Sequence, residues 1–262
     1  ANIKRMNDLI KMSFKKNSIN ENLKIISRIG NIKNIQKIDR ARKDSLSLIK
    51  VNLVNKNNMD FINFKLLNNQ WTGIIGASGS GKTTFMDLIT GMAFPIKLKN
   101  SFDTAKGKLE IENIKNLNFI YLSQFNYIPN CPMIEYIANS NNQKYLNANK
   151  NFILKIVKRI GLFEEFELKS IDDLYKNLAE NATSISGGQA QRLNILRTIF
   201  EMKNNSKKGH QILAMDEPFK GLDQTTKNKS ISLLKKVSKT AILITHSIEE
   251  AKNLCQSIYK VG

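Results

Sequence analysis

Short, continuous apolar runs alternate with stretches of helical spacing from about residue 46 to the end of the chain. Four of these runs lead into a loop that carries glycine, amide, carboxylate or imidazole groups. They cover residues 71–75, 119–122, 212–215 and 241–244. Strands that are apolar along their whole length are typical of a parallel sheet with helices on both faces. The pattern therefore predicts an α/β domain whose functional groups meet at the carboxyl ends of parallel strands.

The N-terminal part of the chain follows a different pattern. Apolar side chains recur close to helical spacing across residues 21–39, which predicts one amphipathic helix. Its stripe consists of Leu23, Ile26, Ile29, Ile32, Ile35 and Ile38. Lys and Arg flank the stripe, which could pack on the following domain, on a partner or at a membrane surface. We therefore predict a basic, largely helical extension over residues 1–45 and a second region over residues 46–262.

Composition excludes several classes of protein. With 262 residues, 41% of them hydrophobic, the chain can bury a core, which excludes a wholly disordered or fibrous protein. No apolar run is long enough to cross a bilayer and no signal-peptide pattern is present, so we expect a soluble chain. Cys131 and Cys255 lie far apart without Cys or His at metal spacing, which disfavours disulfides and zinc and favours a cytoplasmic compartment.

The chain is strongly basic, with 41 Lys and Arg against 22 Asp and Glu and a net charge of +19. Such a charge suits a protein that binds nucleic acid or anionic lipid. Lys far outnumbers Arg, however, and Asn and Ile are also abundant, which fits a general compositional bias equally well. Residues 1–50 carry nearly half of the excess charge, so a functional basic surface would lie there.

A phosphate loop is predicted at residues 76–83, Gly-Ala-Ser-Gly-Ser-Gly-Lys-Thr, which match the pattern G-x-x-x-x-G-K-[ST]. Its glycines let backbone N–H groups turn inward around an anion, and the helix that follows directs its positive end at the phosphates. Lys82 would add a charge at the β and γ oxygens, and Thr83 would bind Mg²⁺ through its hydroxyl. The predicted nucleotide contacts are Gly76, Ser78, Gly79, Ser80, Gly81, Lys82, Thr83 and Thr84. The inner face of the helix, which ends near Gly91, is predicted to be Phe85, Leu88, Ile89 and Met92.

The other strand ends supply the remaining groups that hydrolysis of a nucleoside triphosphate requires. Asp216 would hold Mg²⁺ directly or through water. Glu217, which faces the other way if the strand pleat persists, could polarise the attacking water. His246 would contact the γ-phosphate or link to Glu217. We therefore predict Glu217, His246 and Lys82 as the catalytic residues.

Residues 185–192, Ile-Ser-Gly-Gly-Gln-Ala-Gln-Arg, resemble the LSGGQ signature of the ATP-binding cassette (ABC) ATPases, with Ile in place of the leading Leu. The other motifs follow in the family's order: the phosphate loop (Walker A), the Q-loop at Gln124, the signature, the Walker B strand ending at Asp216, the D-loop at residues 221–223 and the switch His246. The resemblance covers about residues 46–262. It implies an α/β fold with a P-loop NTPase core, a mixed and mostly parallel sheet, and an α-helical signature subdomain at about residues 126–200 inserted in the RecA-like core. It also implies that Gln124 contacts both the nucleotide and Mg²⁺.

The signature has a physical basis of its own. Ser186 and two glycines open a helix whose apolar side is Leu193, Leu196, Ile199 and Phe200. Free N–H groups, a hydroxyl and the helix dipole then form a second anion site. In the family this site closes over ATP held by another subunit in a head-to-tail dimer. The resemblance therefore implies that Ser186, Gly188 and Gln189 contact that ATP and that Asp223 communicates between the two sites.

The resemblance implies an ATP hydrolase that uses ATP and Mg²⁺ and powers transport from the cytoplasmic face of a membrane. Its implied partners are a second cassette, as a homodimer, and a transmembrane domain or subunit. The direction of transport stays open, because residues 245–251 resemble importer ATPases whereas Glu180 lies where exporters carry a Glu. The adenine site also stays open, since Leu53 and Val54 stand where the family has an aromatic residue, and Phe61 and Phe64 are expected in the core.

The alternative function is that of a soluble ABC ATPase acting on nucleic acid or the ribosome, which the positive charge would suit. Such proteins usually insert coiled coils or zinc modules between the motifs, or carry two cassettes. This chain has one cassette, no long heptad run and no Cys cluster. Transport is therefore favoured and a nucleic-acid partner is not expected. A regulatory cassette without turnover is disfavoured because Glu217 and the signature are intact.

Overall fold

The computed structural model describes residues 35–37, 46–55, 60–92, 99–104, 107–122, 128–178, 185–205 and 209–261. They fall into two compact units. The sheet unit consists of the described residues within 7–119, 209–217 and 239–262, and the helical unit of those within 120–208 and 218–238.

The strands form one mixed sheet in the order β5-β6-β2-β3-β1-β10-β4-β9-β8-β7. Their bounds are β1 Ile35–Lys37, β2 Ser47–Asn55, β3 Asp60–Leu67, β4 Trp71–Gly76, β5 Lys99–Thr104, β6 Gly107–Asn113, β7 Leu117–Leu122, β8 His210–Asp216, β9 Ala241–Thr245 and β10 Ser257–Val261. The four apolar runs of the sequence correspond to β4, β7, β8 and β9, which confirms that part of the prediction.

The parallel part of the sheet positions the candidate site. Strands β10, β4, β9 and β8 are parallel neighbours, and Ile244 of β9 lies in register between Ile74 of β4 and Asp216 of β8. The residues that follow these strands therefore share one edge of the sheet, as the α/β pattern predicted. At the other end of the sheet, β5, β6, β2 and β3 form consecutive antiparallel pairs.

Helix α1 (Lys82–Thr90) follows the phosphate loop and packs its apolar face into the sheet unit. Phe85, Leu88 and Ile89 are fully buried, as predicted, and the Phe85 ring stands edge-on to Phe64 with centroids 5.0 Å apart. The prediction that Met92 continues this face is wrong, since Met92 is 39% exposed. Gly91 adopts a left-handed conformation and ends the helix, which turns the chain away before Met92.

The predicted helix over residues 21–39 is wrong at its end, because Ile35–Lys37 form strand β1. Ile35 pairs with Ile62 of β3 on one side and Val261 of β10 on the other, and its side chain is buried. Pairing on both edges satisfies the backbone of this segment, and a β-branched side chain suits a pleated sheet. The rest of the predicted helix lies outside the described residues, and the extension over residues 1–45 stays a prediction.

The helical unit contains α2 Met133–Ala138, α3 Gln143–Arg159, α4 Leu162–Glu165, a 3-10 turn Asp172–Tyr175, α5 Gly187–Asn204 and α6 Gln224–Val237. The predicted apolar side of α5 is confirmed, since Leu193, Leu196, Ile199 and Phe200 are all buried. Helix α7 (Ile248–Leu254) belongs to the sheet unit. Among the described residues, no helix is both long enough and apolar enough to cross a membrane.

Candidate functional site

The phosphate loop lies between β4 and α1, and its backbone is open toward solvent. Gly79 and Gly81 have φ values of 74° and 98°, a left-handed conformation that favours glycine. Gly81 is the N-cap of α1, and no side chain caps the helix. The first N–H groups of an α-helix have no partner within the helix, so those of α1 are suited to bind an anion.

Lys82 bends back over this loop. Its buried ammonium group donates to the carbonyl oxygens of Gly76 and Ala77 at 2.9 and 2.8 Å. Burial lowers the pKa of Lys82, while the charges of Glu217 and Asp216 act in the opposite direction. The two carbonyls thus hold the ammonium beside the anion-binding backbone.

Ser80 carries an orphaned hydroxyl inside the same loop. Its side chain is buried, and its Oγ has no hydrogen-bond partner among the described residues. A buried hydroxyl without a partner costs free energy, which a polar ligand in the loop would offset. The orphaned hydroxyl therefore fits a loop built to receive phosphate oxygens.

Thr83 and Asp216 bring two oxygen groups together at the start of α1. The Thr83 hydroxyl donates to Asp216 Oδ2 at 2.8 Å. Burial raises the pKa of Asp216, and the hydrogen bond from Thr83 opposes that rise. Mg²⁺ prefers oxygen ligands, usually one or two from the protein together with water and substrate phosphates. The pair fits a magnesium site beside the phosphate loop.

Glu217 does not continue strand β8 as the pleat argument assumed. Its φ of 47° is left-handed, which is unfavourable for a residue other than glycine, and its N–H donates to Ile244 O at 3.0 Å. The turn directs its carboxylate to His246, whose Nε2 contacts Glu217 Oε1. His246 Nδ1 in turn lies 3.1 Å from Gly76 O. The imidazole therefore links the glutamate to the first residue of the phosphate loop.

The sequence analysis did not predict the hydrogen bonds that join the two neighbours of His246 to the start of α7. Thr245 donates its hydroxyl to the Glu250 carboxylate and accepts a hydrogen bond from the N–H of Ser247 at 3.1 Å. The Ser247 hydroxyl caps α7 by accepting from the N–H of Glu250, also at 3.1 Å. A Ser followed three residues later by a Glu is the sequence signal of such a helix start, and it could have found this network.

Asp87 is a second residue that was missed. It lies one turn beyond Thr83 on α1, and burial together with the charge of Asp216 raises its pKa to about 6. Its only sequence signal is that it is the single acidic residue of α1. Asp87 therefore adds a second carboxyl group whose charge interacts with that of Asp216.

The signature segment begins helix α5 in the helical unit. Ser186 Oγ accepts from Gln189 N at 3.2 Å, and Gln189 Oε1 accepts from Ser186 N at 3.0 Å, which forms a reciprocal capping box. Gly187 is exposed, and a side chain at that position would meet nothing within 4 Å. The start of α5 is therefore rigid and open, as an anion site requires.

The structure places some of the other predicted site residues and leaves others outside the described residues. Asp223 is the N-cap of α6, where its carboxylate accepts from Thr225 N and Thr226 N at 2.9 and 3.0 Å. Thr84 lies in the first turn of α1, and Ser78 is exposed. Gln124 lies outside the described residues.

The structure does not show an aromatic residue for adenine among the described side chains of the four positions considered. Leu53 is fully buried and Phe64 packs on Phe85, so neither offers a surface for adenine. The side chains of Val54 and Phe61 are outside the described residues.

Comparisons with known proteins identify relatives of this chain. A family model described as ABC transporter matches residues 59–220. The lipoprotein-releasing system ATP-binding protein LolD of Wigglesworthia glossinidia brevipalpis is 34% identical over 216 residues, 75% of this chain and 82% of LolD. The phosphate import ATP-binding protein PstB of Campylobacter jejuni is 28% identical over 205 residues, 74% of this chain and 76% of PstB.

Two similar proteins are much longer than this chain. The lacticin-481/lactococcin-DR transport/processing ATP-binding protein lcnDR3 of Lactococcus lactis is 29% identical over 242 residues, 87% of this chain and 32% of lcnDR3. The solved structure of a bacterial Atm1-family ABC exporter with ATP bound matches with a TM-score of 0.58 at 19% identity, over 86% of this chain and 39% of the exporter. This chain thus spans less than half of either protein, and the structural likeness concerns the fold.

Proposed function

Since this chain belongs to the ABC transporter family and corresponds to its ATP-binding component, we propose that it hydrolyses ATP to ADP and phosphate to drive transport. The observation that carries the proposal is the continuous set of contacts around the phosphate loop. Lys82 and His246 both contact the carbonyl of Gly76, His246 contacts Glu217, and Thr83 contacts Asp216. Three strand ends and one helix start thus supply every group that phosphoryl transfer to water needs.

Each group has a role that follows from its position. The N–H groups at the start of α1 would bind the phosphates, and the Lys82 ammonium would neutralise charge between the β and γ positions. Thr83 and Asp216 would hold Mg²⁺, which when bound adds further charge neutralisation on the phosphate oxygens. Gln124 is proposed as a further contact of the nucleotide and the metal.

Glu217 would orient the attacking water and accept its proton, because a carboxylate beside the γ-phosphate needs position more than basicity. His246 would hold that carboxylate toward the phosphate loop through its contact with Glu217 and Gly76. The hydrogen bonds among Thr245, Ser247 and Glu250 would stabilise the backbone on either side of His246.

The signature supports a dimeric mechanism. Its N–H groups, Ser186 and Gly188 would form an anion-binding helix start in the helical unit. We propose that this helix start, with Gln189, binds the γ-phosphate of ATP held by a second copy of the chain, so that two ATP molecules lie in a homodimer interface. Asp223 would respond to both sites by shifting the start of α6, which it caps. Hydrolysis would then weaken the interface and open the dimer.

A transmembrane domain or subunit is the proposed recipient of that motion, which would place the chain at the cytoplasmic face of a membrane. The names of the relatives support transport in general, since they include a phosphate import protein and a transport/processing protein. Because these names describe both import and other transport, they do not favour one direction.

The test is steady-state ATP hydrolysis by the wild-type chain and by Glu217→Gln, with ATP binding measured separately. We expect Mg²⁺-dependent turnover by the wild type, and retained ATP binding without turnover by Glu217→Gln. Glu249→Gln is the matched control, because it makes the same chemical change at an exposed residue of α7 and should hydrolyse normally. Normal turnover by Glu217→Gln would remove Glu217 from its proposed role.

A further inference from the structure

Arg192 lies near the start of α5, where its side chain donates to two backbone carbonyls and one carboxylate. Its side chain is almost completely buried. Its Nε donates to Gly188 O at 3.2 Å, within the signature itself, and Nη1 donates to Ile160 O at 3.5 Å, just beyond α3. The third acceptor is the carboxylate of Glu165 at the end of α4. The guanidinium therefore joins the signature helix to the segment between α3 and α4.

Glu165 and this guanidinium form a bidentate ion pair. Its Oε1 and Oε2 accept from Nη1 and Nη2 of Arg192, both at 2.5 Å. The hydrogen bond from Arg192 is the main reason that the pKa of Glu165 is lowered. Two parallel charge-assisted bonds fix the orientation of both groups as well as their distance.

The same carboxylate also reaches the capping box. Gln189 Nε2 lies 3.4 Å from Glu165 Oε2, and Gln189 Oε1 accepts from the N–H of Ser186. One amide side chain thus connects the Glu165 carboxylate to the first residue of the anion site. Without Glu165, the Gln189 amide would keep, among the described residues, only its bond from the N–H of Ser186, and Arg192 would keep a buried positive charge with carbonyl partners only. Removing one partner of such a pair is costly, because the other charge stays desolvated.

We propose that Glu165 is a positioning residue for the signature: through Arg192 and Gln189 it holds Ser186 and Gly188 in the orientation that binds phosphate. The inference rests on the proposed function, in which this helix start contacts ATP bound by a second copy. Glu165 itself touches no nucleotide in this account. Its loss should therefore weaken the step that needs two chains and leave ATP binding by the phosphate loop unchanged.

The experiment compares Glu165→Gln with Glu164→Gln, which makes the same chemical change one residue earlier at an exposed side chain. ATP affinity is measured by titration at low protein concentration, and hydrolysis is measured across a series of protein concentrations. We expect Glu165→Gln to keep its ATP dissociation constant within twofold. Its kcat should fall at least fivefold, or the protein concentration for half-maximal activity should rise by that factor. Glu164→Gln should match the wild type in every measurement.

A second variant keeps the test decisive if Glu165→Gln does not fold. Arg192→Lys retains the positive charge but cannot donate to both carboxylate oxygens and two carbonyls at once. It should show the same defect in hydrolysis with unchanged ATP affinity. Hydrolysis by folded Glu165→Gln or Arg192→Lys that equals Glu164→Gln overturns the inference, as does a defect that lies in ATP affinity alone. If the wild type itself does not hydrolyse ATP, the proposed function has failed instead.

Discussion

Substitutions at Ser186 separate the structural role of the signature from its proposed contact with ATP. Ser186 Oγ accepts from Gln189 N at 3.2 Å and caps a helix of 18 residues. Ser186→Ala removes this cap, and Ser186→Asp preserves it, because Asp caps helices as well as Ser does. The two variants differ in another respect, since Asp places a negative charge where the phosphate is proposed to bind.

The expected magnitudes follow from these contacts. Loss of an N-cap costs about 1 kcal/mol, which lowers the melting temperature of a protein of this size by about 2–4 °C. Ser186→Asp should melt within about 1 °C of the wild type on the same reasoning. Two negative charges about 4 Å apart repel by roughly 4 kcal/mol at the effective dielectric constant near a protein surface. Hydrolysis by Ser186→Asp should therefore fall by about 100-fold or more.

Thermal denaturation and steady-state hydrolysis at saturating Mg·ATP measure the two effects. Asn142 provides the matched control, because it caps α3 in the same unit by accepting from Tyr145 N at 3.1 Å. Asn142→Ala should lose similar stability, and Asn142→Asp should lose none, with normal hydrolysis in both. Wild-type turnover by Ser186→Asp would refute the phosphate contact, and a lower melting temperature for Ser186→Asp than for Ser186→Ala would refute the capping argument.

Three further predictions concern the phosphate-loop site. Lys82→Ala should weaken ATP binding at least tenfold in a titration, because the ammonium beside the loop is lost, while the melting temperature stays within a few degrees. Thr83→Val removes the hydroxyl that donates to Asp216, and it should raise the Mg²⁺ concentration for half-maximal hydrolysis at least fivefold in a magnesium titration. Asp87 has its pKa raised from 3.8 to about 6, so the folded chain keeps a proton that the unfolded chain releases, and stability falls as the pH rises between those values. Asp87→Asn should therefore be more stable than the wild type by about 1 kcal/mol at pH 8, a value reduced because the side chain is partly exposed to solvent, and as stable as the wild type at pH 4. Urea denaturation at both pH values measures the difference, and an equal gain at both would contradict the electrostatic cause.

The part of the fold that sequence patterns predict is the part with the strongest burial signal. Strands β4, β8 and β9 are buried over most of their length, so apolar residues predominate in their sequences. Strand β5 reads Lys-Asn-Ser-Phe-Asp-Thr and lies at the edge of the sheet, where polar residues are tolerated and no apolar run marks it. Strand β1 has three residues, which is too short for any period to be distinguished from a helical one.

The residues of the candidate site also differ in how well sequence patterns predict them. Local motifs predict Lys82 and Ser186, whose hydrogen bonds join residues close to them in sequence. The phosphate-loop pattern also marks Thr83, although its partner Asp216 lies 133 positions away. The contact of Glu217 with His246 depends on a left-handed residue at the end of a strand, which no local pattern specifies for a glutamate. Glu165 and Arg192 are 27 positions apart in the sequence, and the packing of the helices brings them together. The strand-end pattern therefore predicted a link between His246 and Glu217, as one of two alternatives, but not the turn that forms it, and it did not predict the pairing of Glu165 with Arg192.

The central proposal is that ATP binds between two copies of this chain. The direct measurement is the solution mass of Glu217→Gln by light scattering, with and without Mg·ATP, because this variant should bind ATP without consuming it. We predict a monomer near 29.8 kDa without nucleotide and about twice that mass with Mg·ATP. A monomeric mass at an ATP concentration that a titration shows to be saturating would contradict the proposed homodimer.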